Sequence, residues 1–240
     1  MLDQYLQRTQ LLLSDKSFEV FNELDLTNFI NMARGQLATE TECIRINGTL
    51  AVTAPTQVYP FSTISLGGAV GVNAVISVNQ ISYAVASGQK ILHSRPYAYF
   101  NTYILSQPVP TAGPPSSWTQ YGPGSTGSIY INLPDGPYTL TLDTACYPLD
   151  LTDDSSPEAI SYPLTDAIPF FSAYYAAMTV GDLERSKRMY DEYSKFVGRG
   201  KIADMPSVLP QNFQSNSDGI NPASDPFLAN RLGVTSKGQQ

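Results

Sequence analysis

Histidine occurs once in this 240-residue chain, at His93, and cysteine only twice, at Cys43 and Cys146. With a single imidazole, Ser-His-Asp and Cys-His catalysis would both have to use His93, and the G-x-S-x-G elbow is absent. Its neighbours, Ile91-Leu92-His93-Ser94-Arg95-Pro96, predict a strand carrying a surface or hydrogen-bonded imidazole. Two cysteines cannot build a disulfide framework and have no partners at zinc-ligand spacing, so two reduced thiols are expected. No apolar run approaches the ~20 residues that cross a bilayer, and the start lacks a basic-then-apolar secretion pattern. The expectation is a protein made in the cytoplasm with no membrane partner.

Other chemical signatures fail for equally specific reasons. Gly67-Gly68-Ala69-Val70-Gly71 is glycine-rich, but it lacks the Lys-Ser/Thr of a phosphate-binding loop, and a flexible loop is expected. Asp150, Asp153, Asp154 and Glu158 lack the spacing and the glycine of a calcium-binding hand, and they read as a solvated acidic connection. No catalytic, cofactor-binding or metal-binding residue is assigned, no cofactor is expected, and the chain does not read as an enzyme.

Charge is also scarce where it would be needed for a free surface. Between residues 44 and 147 the only charged side chains are Arg45, Lys90, Arg95, Asp135 and Asp143. Interface cores are depleted of charge, so much of this middle segment is expected to face other protein. The net charge of −7 argues against an affinity built on neutralising phosphates. It still allows an acidic wall that surrounds DNA without gripping it.

What is present divides by hydrophobic period. Leu2, Tyr5, Leu6, Thr9, Leu12 and Leu13 recur at helical spacing and predict a helix over 2–13. A second helix is signalled by Asn22 as cap, Asp25 in the first turn and a Phe21-to-Leu26 staple. It carries Leu26, Phe29, Ile30, Ala33 and Leu37 to about Thr41. From Ile44 the period falls to two, and strands are expected near 45–53, 72–78, 80–86, 90–94, 127–132 and 138–147. Ser87-Gly88-Gln89 and Pro134-Asp135-Gly136 read as hairpin turns. Residues 97–105 read as a short helix on the sheet, and 107–127 as a long loop carrying Trp118.

Helical spacing returns near Thr165, with Pro169 tolerable only in the first turn and Gly181 as the stop. Asp182 caps a last helix bearing Leu183, Ser186, Met189, Tyr190, Tyr193 and Phe196, with Gly198 as its expected end. Four helices flanking a β region predict an α+β fold: a four-helix bundle with an inserted antiparallel β domain. The expected division is 1–43 with 148–198 for the bundle and 44–147 for the insertion. Residues 199–240, with no period and with Pro206, Pro210, Pro222 and Pro226, are expected to form an extended C-terminal tail. At ~3.3 Å per residue it can reach about 140 Å. Its apolar residues Leu209, Phe213, Phe227 and Leu232 are the candidate contacts to a neighbouring subunit or a different protein. Cys43 and Cys146, flanking the insertion, are expected to be spatial neighbours.

Several stretches together resemble a known family. YLQRTQLLLSD followed by FNELDLTNFINMARGQLATETECIR is similar to the opening of head-to-tail adaptor (connector or neck) proteins of tailed phages. RPYAYFNTY, WTQYGPGSTGSIYINLP, YTLTLDTACYPLDL and YPLTDAIPFFSAYYAA follow in the family's order. The likeness spans about residues 2–197 and rests on packing patterns; the layout is also similar to the tail tubular protein A family. It implies a virion structural protein of the neck, in a homo-oligomeric ring of twelve copies. Its partners would be further copies of itself, the portal and a tail nozzle or tail tube protein, with genomic DNA passing through unread. The competing reading is a carbohydrate- or receptor-binding virion module using the aromatic loop of Trp118, Tyr121 and Tyr130. It expects Trp118 exposed, whereas the adaptor reading expects it packed.

Overall fold

A computed structural model describes residues 1–204 apart from 16, 17, 87, 107–110 and 123. Helix α1 (Leu2–Leu13) and helix α2 (Glu23–Thr41) lie where the periodicity puts them. Asn22 Oδ1 accepts the Asp25 N–H at 2.7 Å, satisfying one of the orphan donors at the start of α2. Gln10 is buried along with the apolar face of α1.

Residues 45–148 form two four-stranded sheets. The first has the order β1 (Arg45–Val52), β8 (Tyr138–Pro148), β3 (Val72–Val85), β4 (Gly88–Ile91), antiparallel throughout. β1 pairs with β8 along its whole length, from Arg45 opposite Ala145 to Val52 opposite Tyr138. Its burial alternates strictly from Asn47 on, with Gly48, Leu50 and Val52 inward. In β8, by contrast, Thr144, Ala145 and Cys146 are buried in succession, which requires cover on both faces. Helix α2 packs on this strand.

The second sheet has the order β2 (Val58–Pro60), β7 (Ser128–Ile131), β6 (Ser117–Tyr121), β5 (His93–Ser94). Its one parallel pairing joins β5 to β6. The sheets meet where β3 faces β6, and the Val78 N–H donates to Gln120 Oε1 at 3.0 Å.

Four expectations are corrected in the β region. The strands read at 72–78 and 80–86 are one, β3, kinked by irregularities between Val75 and Ser77 and between Val78 and Gln80. The run read as 90–94 is divided between the sheets as β4 and β5. The supposed loop at 107–127 contains β6, with Trp118 and Thr119 buried. Pro134-Asp135-Gly136 is no hairpin turn, because β7 and β8 belong to different sheets. The β3–β4 connection is a hairpin, with Val85 opposite Gly88. Residues 97–105 are helical as expected, as α3 (Tyr97–Phe100) followed by a π turn.

A 3₁₀ turn at Leu164–Ala167 leads into α4 (Ile168–Thr179), with Pro169 in its first turn. Gly181, at φ +78°, closes α4: its N–H reaches the Met178 carbonyl and the Asp182 N–H reaches that of Ala177. That paired bonding needs a left-handed residue, which glycine adopts without a Cβ clash. Asp182 then caps α5 (Leu183–Asp204) by accepting the Arg185 N–H at 3.0 Å.

Gly198 does not end α5, which continues to Asp204; a lone glycine costs a helix only about 1 kcal/mol against alanine. Leu183, placed on the buried face by its spacing, is 67% exposed, and the inward stripe runs instead through Ser186, Tyr193 and Val197. α1, α2 and α4 pack on one another, and α5 joins α4 through Phe171–Tyr193 and Phe170–Phe196 ring contacts. The fold is therefore mixed α+β, and most of its buried apolar residues form one cluster running from α1 through both sheets to Val197. α2 does more than pack within the helical part, since it also covers β8.

Candidate functional site

The most elaborate polar arrangement surrounds Arg34, whose side chain is fully buried on the stripe of α2 between Ile30 and Leu37. A buried guanidinium is tolerable only when charge and hydrogen bonds replace water. Arg34 Nε and Nη2 donate to the two carboxylate oxygens of Glu158 at 3.1 and 2.9 Å, a bidentate fork. Its Nη1 donates to the Leu149 carbonyl at 2.7 Å and to Asn31 Oδ1 at 3.2 Å. Glu158 also accepts the Tyr5 hydroxyl at 2.9 Å and the Ile160 N–H at 3.0 Å. Burial, then the Glu158 charge, push the Tyr5 hydroxyl well above its ordinary range, so it remains a donor.

Asn31 completes the arrangement by pairing with the Leu151 backbone, donating to its carbonyl at 3.0 Å and accepting its N–H at 2.9 Å. Four side chains from α1, α2 and the connection after β8 thus fasten residues 149–160 onto the helices. Gly71 lets β3 approach the same connection. Its N-terminal neighbourhood accepts the Leu149 N–H at 2.7 Å through the Gly71 carbonyl, and a Cβ there would meet the Pro157 carbonyl at 3.0 Å.

This latch corrects the reading of residues 150–158 as a wholly solvated acidic connection. Glu158 has a side chain only 7% exposed and is ion-paired. Asp153 does turn back on its own loop, accepting from Ser155, and Asp154 is on the surface beside the Met1 amine. Hydrogen bonds from Ser155 hold the Asp153 carboxyl below the usual range, and the bond from the Met1 amine does the same for Asp154. Among the described residues, no three His, Cys, Asp or Glu side chains are grouped to hold a metal. Nor is any described helix long and apolar enough to cross a membrane.

A second feature is a groove of about 390 Å³ between α1, α4 and α5. Leu11, Leu12, Pro169, Phe170 and Phe196 line it, and the Arg8–Asp166 ion pair stands at its rim. The Phe170 and Phe196 rings stack at 5.6 Å, and Leu11 is 61% exposed.

The aromatic residues of the competing reading are divided. Trp118 is 3% exposed and belongs to the core. Tyr121 is exposed and lies against Tyr97 at 4.4 Å, while Tyr130 meets Tyr97 edge-on at 5.3 Å. Burial, then the neighbouring Tyr97, raise the Tyr130 hydroxyl. Arg95 stands over the Tyr99 ring. His93 is an exposed residue of β5. Neither Cys43 nor Cys146 is in a disulfide, and the Cys146 N–H donates to the carbonyl of Ile44, the residue after Cys43. Burial pushes the Cys146 thiol up. Leu209, Phe213, Phe227 and Leu232 lie outside the described residues.

Sequence reasoning missed Arg34 and Glu158 as partners. One signal was available: a lone arginine on an otherwise apolar helical stripe demands a buried carboxylate. Compared with known proteins, residues 2–212 match the family model described as SU10 adaptor protein. No curated protein matches the chain.

Proposed function

The chain belongs to the SU10 adaptor protein family, a phage head-to-tail adaptor family, and from that premise we propose that it is one subunit of a neck ring joining portal to tail. The ring has twelve copies and surrounds the channel through which the genome leaves. Within each subunit, 1–43 with 148–198 form a four-helix bundle carrying 44–147 as an inserted β domain. The tail beyond Asp204 fastens the ring through Leu209, Phe213, Phe227 and Leu232. The family match over most of the chain carries this reading. The elaborate polar chemistry, moreover, is spent on internal fastening at Arg34 and Glu158. The net charge of −7 suits a channel past which phosphates slide, since a basic lining would bind them.

The carbohydrate-binding alternative loses its central ring, because a stacking platform needs an accessible face and Trp118 is buried. The test is to mix purified protein with portal and measure the mass and symmetry of the product by electron microscopy. A twelve-fold ring on the portal is expected, lost or strongly weakened when the chain is cut after Asp204. A protein that stays monomeric beside portal overturns the ring; full portal affinity after truncation overturns the fastening role. Tight duplex DNA binding by the ring at physiological salt would refute the sliding channel.

A further inference from the structure

Resting on the ring reading, we infer that the groove between α1, α4 and α5 receives Phe227 and Leu232 from the C-terminal segment of the adjacent copy. The groove is apolar on its walls and open to water in the single chain, with Leu11 61% exposed. Its one charged feature, Arg8 with Asp166, is internally neutralised, so it neither demands nor repels a charged ligand. About 390 Å³ of apolar space calls for one or two large hydrophobic side chains.

Among the large apolar side chains that the chain supplies beyond the described residues are Leu209 with Phe213, and Phe227 with Leu232. Their distances from the end of α5 at Asp204 differ in a way that selects between them. Phe227 and Leu232 lie far enough along to reach about 75 and 90 Å when extended. A folded body of ~200 residues has a radius of gyration of about 16 Å. The far pair can therefore clear its own subunit and reach the next, leaving Leu209 and Phe213 for contacts nearer the end of α5.

Charge does not stand in the way. Residues 205–240 carry two acidic and two basic side chains, Asp218, Asp225, Arg231 and Lys237, so the segment beyond α5 is neutral and suits a groove whose single ion pair is already neutralised. A contact of this kind would link every subunit to the next without a large flat interface.

The experiment places a photo-crosslinking benzoylphenylalanine at position 227 of the full chain. Equal amounts of ¹⁴N- and ¹⁵N-labelled copies are assembled with portal, irradiated and digested, and ring mass is measured on the same sample. Expected are mixed-isotope crosslinks from 227 to peptides containing Leu11, Leu12, Phe170 or Phe196. Leu11→Lys, at a site exposed enough to leave the fold intact, should lower their yield at least 10-fold. Rings that form but crosslink only within one copy, or only outside the groove, overturn this inference alone. A sample that never assembles overturns the ring reading and takes the inference with it.

Discussion

Replacing Arg34 by Met leaves Glu158 buried with only the Tyr5 hydroxyl and the Ile160 N–H for company. Removing one partner of a buried ion pair costs about 3–5 kcal/mol, because the remaining charge has lost both its counter-ion and its water. Here the lost fork is bidentate, and the Leu149 carbonyl and Asn31 lose a donor as well. The upper half of that range is therefore expected. For a domain of this size it corresponds to a fall in melting temperature of roughly 10–20 °C. Arg34→Met combined with Glu158→Leu removes both charges together and should recover at least half of the loss, since an apolar replacement of a buried pair is often neutral. The assay is urea denaturation followed by circular dichroism, at one fixed protein concentration so that assembly does not shift the midpoint. A single substitution costing under 1 kcal/mol, or a double variant whose loss is the plain sum of the singles, would refute the account of the latch.

Three further outcomes are expected. Asp15 accepts the N–H groups of Phe21, Glu19 and Val20, which hold its carboxyl below the ordinary range. A depressed value means its contribution is complete above about pH 4 and fades as the pH falls through the folded value. Amide exchange at Glu19–Phe21 should therefore accelerate on acidification beyond the intrinsic trend, and Asp15→Asn should abolish that extra dependence. The only tryptophan, Trp118, should be poorly quenched by iodide, and Trp118→Ala should cost about 3–5 kcal/mol; strong quenching in the native protein would contradict its placement. Gly71→Ala should destabilise by about 1–2 kcal/mol, because φ is +77° and the added Cβ presses on the Pro157 carbonyl. A neutral effect in the same urea assay would contradict that close approach.

The helices were legible because their ends carry local chemistry. Asn22 accepts from Asp25, Asp182 from Arg185, and Gly181 takes a positive φ, each as its neighbours in sequence predict. Gly198 misled because a glycine stops a helix only when the bonds beyond it are better, and here the turns continue. Strand content was legible from the period of two, but not which sheet a strand joins. Pro134–Gly136 has hairpin composition and yet links two sheets, a distinction made by contacts remote in sequence. β6 was hidden inside a stretch rich in Pro, Gly and Ser. The latch was the least legible feature: Arg34 and Glu158 are 124 residues apart, and only the odd arginine on an apolar stripe announced it.

The facing of Arg45 by Ala145 has an evolutionary corollary. A hundred-residue excursion that departs and comes home on adjacent strands imposes almost no geometric demand on the rest of the molecule. Lengthening its remote hairpin at residues 86–88 would add only ~0.6 kcal/mol of closure entropy per doubling of loop length. Lineages could therefore restyle the outer parts of the sheets to suit a new tail while the helices stay unaltered.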